Sequence, residues 1–245
     1  MVASHFLPPS KAHNPATMQT ILLVRHGYLT SWDENLKARG TPPHQRIDPG
    51  LAAIGQQQAK LTASLIADRG GADVVLSSPF RHCLETADII ASACKADVTA
   101  DWRLGNVLIS QVLGIPFSPN SAMDPEWKER RAEAGKPSHP ESDKTVHERV
   151  SKVMIELKNR KPFAARIVIV SHDIILKDLF NKMNGRAITL DWHPGAITTL
   201  TRPKIVDRNW KLIGKFASCE HLGDSDRTEP VEQITYKYHP DDSKA

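Results

Sequence analysis

Apolar residues along this chain follow two distinct spacings. Ile21-Leu22-Leu23-Val24, Val74-Val75-Leu76 and Val168-Ile169-Val170 are short, largely β-branched runs, apolar on both faces. Such runs predict strands buried inside a sheet. Between and after them, apolar positions recur every three or four residues: Leu51, Ile54, Leu61 and Leu65; then Leu84, Ala87, Ala91 and Cys94; then Val146, Val150, Val153 and Leu157. That spacing predicts amphipathic helices over 51–68, 80–95 and 145–158, with another over 174–183 closed by Asn184-Gly185. Strands are predicted over 21–24, 73–76, 97–102 and 166–170, and a closing antiparallel pair over 196–201 and 210–217. Strands alternating with helices imply an α/β fold around a mostly parallel sheet.

The pattern breaks in three places. Residues 1–18 hold Pro, His and Ser without an apolar core and read as a flexible leader rather than a secretory signal. Residues 115–143 contain Pro116, Pro119, Pro125, Pro137 and Pro140 and read as a lid insertion with one short helix near 125–134. Residues 229–245 are polar and read as a tail, which leaves 19–228 as a single domain.

Composition narrows the classes. The chain has 245 residues, enough for one large core. Its net charge of +4, from 32 basic and 28 acidic residues, is scattered; this suits an anionic small substrate better than nucleic acid. No apolar run approaches the ~20 residues of a bilayer span. The three cysteines, Cys83, Cys94 and Cys219, lack paired spacing and read as free thiols of a reducing, cytoplasmic compartment. Neither metal nor cofactor is expected, since His139 and His147 are isolated and no motif has metal-ligand spacing.

Candidate chemistry sits where strands end. The first strand stops on Arg25-His26-Gly27, and another on Ser171-His172-Asp173. Ser77-Ser78-Pro79 leads into a helix carrying Arg81, His82, Glu85 and Thr86. Open α/β sheets keep their chemistry at the carboxyl ends of strands. A neutral imidazole beside a guanidinium suits phosphoryl transfer, with nitrogen as nucleophile and arginine gripping phosphate oxygens.

Taken in order, Leu23-Val24-Arg25-His26-Gly27, Asp48-Pro49-Gly50-Leu51 with Gly55 and Gln58-Ala59, Ser78-Pro79 with Glu85-Thr86-Ala87, Glu141-Ser142 with Arg149-Val150, and Val170-Ser171-His172 resemble the histidine phosphatase superfamily. The resemblance implies a phosphoglycerate mutase-like three-layer α/β/α sandwich. It also implies a metal-independent phosphatase for a small phosphomonoester. His26 would form a phosphohistidine, with Arg25 and His172 on the transferring group. Glu141 would orient Arg25 or a neighbouring base.

Two positions depart from the family pattern. His82 stands where a second pocket arginine is expected, with Arg81 one residue early; either Arg81 shifts inward or a protonated His82 replaces it as a weaker anchor. Asn106 stands where a glutamate would protonate the leaving oxygen, and Asn is no acid. Asp173 is the substitute, unless it only caps the following helix. Thr30 and Ser31 offer hydroxyls to phosphate, Trp32 offers a wall, and Trp127, Arg130 and Arg131 offer contacts from the lid. The departures leave two alternatives: a weakened phosphate-binding scaffold, and an enzyme turned to another reaction such as diphosphate release. No membrane partner or direct nucleic-acid partner is expected.

Overall fold

A computed structural model describes residues 18–32, 48–107, 123, 125–132, 134–135, 141–188, 190–203 and 209–228. The leader short of Met18, the tail, and most of the 115–143 insertion lie outside them. The described strands are β1 (Gln19–Arg25), β2 (Val74–Ser77), β3 (Asp97–Ala100), β4 (Arg166–Ser171), β5 (Ile197–Arg202) and β6 (Lys211–Ser218). They form one sheet in the order β3-β2-β4-β1-β5-β6. The β3-β2, β2-β4 and β4-β1 pairs are parallel, and β1-β5 and β5-β6 are antiparallel.

Four helices, α1 (Ala53–Asp68), α2 (Arg81–Cys94), α3 (Asp143–Asn159) and α4 (Asp173–Asn184), cover the two faces. Successive strand side chains point to opposite faces, so a doubly apolar strand feeds two cores. Ile21, Leu23, Ile167 and Ile169 pack with Val146, Val150 and Val153 of α3 and Leu176, Leu179 and Phe180 of α4. Leu22, Val24, Val168 and Val170 pack with Ala63 and Ile66 of α1 and Cys83, Ala87 and Ile90 of α2. This is the expected three-layer α/β/α sandwich. No described helix is long and apolar enough to cross a membrane.

Two sequence-based expectations need correction. The 97–102 strand ends at Ala100, because Asp101 accepts from the Arg103 backbone N–H and caps a 3-10 turn, Trp102–Leu104. The 125–134 helix is instead two 3-10 turns, Pro125–Trp127 and Glu129–Arg131. A segment this short cannot sustain an α-helix without long-range packing, and the backbone turns at Gly135 with φ +87°.

Candidate active site

The parallel register of β1 and β4 aligns Arg25 with Ser171. The residues that follow, His26 and His172, therefore leave the sheet side by side, and the His26 N–H donates to the Ser171 carbonyl at 3.2 Å. β2 ends one strand further along, where the Ser78 N–H donates to Val170 at 2.9 Å. Helix α2 starts there and carries His82 inward. Ring centroids are 5.3 Å apart for His26 and His172, 4.4 Å for His26 and His82, and 5.2 Å for His82 and His172. All three rings are buried, at 0, 0 and 3% exposure for His26, His172 and His82.

The loop after β1 threads past α1 with no room to spare. A Cβ on Gly27 would stand 2.4 Å from the Gly55 carbonyl oxygen, and one on Gly55 would stand 2.1 Å from that of Tyr28. Only glycine fits at both positions. The close approach fixes where His26 points.

Its tautomer follows. His26 Nδ1 lies 2.8 Å from the Gly27 carbonyl. A carbonyl only accepts, so Nδ1 carries the proton and Nε2 the lone pair. Nε2 is buried and has no hydrogen-bond partner among the described residues. Burial first, then His82, His172 and Arg25, hold the His26 pKa well below the usual histidine range. The ring is therefore a neutral imidazole at pH 7 with the Nε2 lone pair unshared among the described residues.

Arg25 is 1% exposed, and its Nη1 donates to the Trp192 carbonyl. Its Cζ lies 5.4 Å from the centroid of Trp32, whose ring stands 5.5 Å from His26. The Arg25 Nε is buried without a partner among the described residues. Trp32 thus walls both groups. Thr30 turns away, its hydroxyl donating to the Gly50 carbonyl at 3.2 Å. Ser31 lies in the same 3-10 turn, half-buried.

The second imidazole is held through a residue not singled out as a site candidate. Ser78 Oγ lies 2.8 Å from His172 Nε2, and His172 Nδ1 is buried with no partner among the described residues. Burial is the main cause of the depressed His172 pKa.

At the departing position, Arg81 has not shifted into the pocket. Its Nε pairs with Glu85 at 2.7 Å, and Glu85 accepts the Leu51 N–H at 2.6 Å. His82 takes the inward place as a neutral ring. Burial lowers its pKa to about 4, against a raising contact from the Pro49 carbonyl, while Arg25 and Arg131 lower it further. The expected imidazolium anchor is thus not charged at neutral pH in the unliganded site. Arg131 reaches the same corner from the insertion: its Nε donates to the Pro79 carbonyl at 2.8 Å and its Nη2 pairs with Asp48.

Asp173 does not cap α4, since His172 occupies the N-cap. Its Oδ1 accepts the Trp192 N–H at 3.0 Å and its Oδ2 pairs with Lys177 at 2.9 Å. Glu141 pairs with Arg149 at 2.7 Å, not with Arg25. Arg149 also donates to the carbonyls of Arg103 at 2.6 Å and Asn106 at 3.2 Å, so it ties the Asn106 loop to α3. The Asn106 side chain accepts from the Val107 N–H.

The absence of metal-ligand spacing in the sequence did not anticipate what folding brings together. His26, His82 and His172 each present a ring nitrogen within 4.8 Å of the others. They lie 56 and 90 positions apart in the chain, from the differences of their numbers, and only the register of β1, β2 and β4 makes them neighbours.

The model of the histidine phosphatase superfamily, branch 1, matches residues 21–216. The chain belongs to that family. By that membership it is an enzyme of the phosphatase type. It is 28% identical over 172 residues to phosphoglycerate mutase-like protein 4 of Arabidopsis thaliana, covering 68% of this chain and 72% of the relative. It is 26% identical over 170 residues to a probable phosphoglycerate mutase, GpmB, of Proteus mirabilis, covering 69% and 76%. Among solved structures, its fold is similar to a mycobacterial glucosyl-3-phosphoglycerate phosphatase, with TM-score 0.53 and 18% identity over 80% of this chain and 97% of that one. The alpha-ribazole phosphatase of Shigella flexneri gives 0.55 and 20%, over 79% and 94%.

Proposed function

We propose that this histidine phosphatase hydrolyses a small phosphomonoester through a phosphohistidine on His26, with no metal in the turnover step. The observation that carries the reading is the tautomer of His26: Gly27 holds the proton on Nδ1 and leaves Nε2 with a buried, unshared lone pair. In the first step Nε2 forms a bond to phosphorus while the bond to the leaving oxygen breaks. Arg25 and His172 stand where the equatorial oxygens gather charge, and hydrogen-bond donors placed there stabilise the transition state. In the second step water attacks phosphorus and gives up a proton to bulk solvent, the P–N bond breaks, and the lone pair returns to Nε2.

The leaving oxygen has no ready proton donor among the described residues near the site. Asn106 cannot supply one, and both Asp173 oxygens are engaged. General acid catalysis is typically worth about 10²–10⁴-fold. The substrate class that suits the described residues therefore has a weakly basic leaving group, an aryl or enol phosphate among the phosphomonoesters.

The test is an assay of chelator-treated protein with a chromogenic aryl phosphate, beside His26→Ala. Turnover by the parent and none by the variant is expected. Equal rates for both would overturn the reading. The full burial of His26, together with the neutral His82, favours a second reading, a member that binds phosphate without releasing product quickly. A pre-steady-state burst of one phosphohistidine per chain, followed by slow release, would identify it.

A further inference from the structure

We propose that His26, His82 and His172 form a site for one borderline divalent metal ion, Zn²⁺ foremost, which occupies the lone pair of His26 and holds the enzyme off. The inhibitory half rests on the proposed nucleophilic role of His26; the metal site itself does not.

The geometry of the three rings carries the site. One ring nitrogen from each histidine lies within 4.8 Å of the others. Three imidazoles on a tetrahedral ion, with metal–nitrogen bonds of about 2.0–2.1 Å, place their ring centroids about 5 Å apart. The separations here are 5.3, 5.2 and 4.4 Å, so the His26–His82 pair need only open slightly.

The outer contacts also fit. A metal-bound histidine usually donates its other ring N–H to a carbonyl or similar acceptor, which fixes the tautomer. His26 does so to Gly27 at 2.8 Å and His82 to Pro49 at 3.0 Å, which leaves Nε2 of each as the donor to a metal. The Ser78 hydroxyl, 2.8 Å from His172 Nε2, can accept a hydrogen bond from an N–H there, which leaves the Nδ1 lone pair as the third donor. Two of the three candidate nitrogens, His26 Nε2 and His172 Nδ1, are buried without partners among the described residues.

Size points the same way. The rings are closed to solvent, at 0, 3 and 0% exposure for His26, His82 and His172. A phosphoryl group must part them, whereas a single ion fits between them with little motion. Ligand softness selects the ion, because three neutral imidazoles favour Zn²⁺ or its neighbours over Mg²⁺ or Ca²⁺.

Charge is the opposing factor. Arg131 and Arg149 are each paired, with Asp48 and Glu141. Arg25, which among the described residues donates to the Trp192 carbonyl and to no carboxylate, favours an anionic fourth ligand such as hydroxide or a phosphate oxygen. A histidine at position 82 completes the donor set; an arginine there would add a second cation and remove a ligand.

The experiment uses chelator-stripped full-length protein. Zn²⁺ is titrated against a chromophoric chelator, and Co²⁺ is added separately to read the visible bands of a four-coordinate ion. One ion per chain, tetrahedral Co²⁺ bands and a raised thermal midpoint are expected for the parent. His82→Arg and His82→Gln should each weaken Zn²⁺ binding at least about 100-fold, by analogy with the losses that follow disturbed metal shells. His147→Ala, which lies outside the cluster, should keep the parent affinity. Circular dichroism confirms that each variant is folded. Unchanged affinity in both His82 variants, or octahedral Co²⁺ alone, would overturn the site. One equivalent of Zn²⁺ should abolish aryl phosphate turnover by the parent, and activation by Zn²⁺ would overturn the inhibitory role. These binding readouts need no substrate, so an inactive but metal-binding protein would sink the phosphatase reading alone.

Discussion

His26 and His172 are neighbours because Arg25 and Ser171 are partners in the parallel ladder of β1 and β4. Their rings stand 5.3 Å apart, although 146 positions separate them by subtraction of their numbers. A slip of one residue in that ladder would point one ring to the other face of the sheet. The site is therefore as rigid as the strand pairing that aims it.

His26→Ala should lower aryl phosphate turnover by on the order of 10³-fold or more, the scale seen when a covalent nucleophile is removed. The variant should still fold, read by circular dichroism, because among the described residues the ring's one hydrogen bond is to the adjacent Gly27 carbonyl. Acid-labile phosphate trapped during turnover should map to His26 in the parent. Its recovery on another residue would refute the assignment.

Asp173→Asn should affect aryl and alkyl phosphates alike. Its carboxylate ties Trp192 and Lys177 together, and loss of those contacts should cost about 1–2 kcal/mol of stability. Asn106→Glu should speed alkyl phosphates selectively, since only a basic leaving oxygen needs the proton. A selective loss of alkyl turnover in Asp173→Asn would instead make Asp173 the acid.

The two neighbouring cationic candidates should separate cleanly. Arg81→Ala should leave KM for the aryl phosphate near the parent value, because Arg81 is engaged with Glu85. His82→Arg should tighten phosphate inhibition roughly tenfold or more, since a fixed guanidinium grips phosphate bidentately. Inorganic phosphate as a competitive inhibitor reads both effects.

Acid should unfold this protein early. His82 and His221 both have pKa values lowered to about 4, chiefly by burial, and the same cause holds His26 and His172 well below the usual histidine range. These groups are neutral in the folded chain and protonate in the unfolded chain below its ordinary value of about 6.5. Their contribution is complete above that pH and is lost as pH falls towards 4, by up to about 1.4 kcal/mol per group per pH unit. Urea midpoints of chelator-treated protein at pH 7, 6, 5 and 4 should fall at each step. A midpoint flat from 7 to 5 would show that these rings are solvated.

Gly55→Ala should destabilise by on the order of 3 kcal/mol or more, the scale of a severe backbone clash. The new Cβ would meet the Tyr28 carbonyl oxygen at 2.1 Å, and neither backbone can move without shifting α1. Chemical denaturation measures the loss, and a variant as stable as the parent would mean that the loop after β1 is free to relax.

Much of this molecule was legible from residue order, and the reason is local. Runs apolar on both faces, such as 21–24 and 167–170, fit interior strands by their shortness and β-branching, and the 3.6-residue spacing of Val146, Val150 and Val153 fits one buried helix face. The family motifs placed His26 and His172 at strand ends for the same reason. Residue order could not say where side chains go once several elements meet. Arg81 and His82 are adjacent, yet one lies on the rim with Glu85 and the other inside against His26, because neighbouring helical positions point about 100° apart and the orientation of α2 on the sheet decides which faces in. Asp173 could be read as acid or cap, and packing against the Trp192 loop makes it neither a cap nor free. The three-histidine cluster draws on the ends of β1 and β4 and the start of α2, so no spacing along the chain encodes it. It exists through long-range strand register, a cooperative property of the folded sheet.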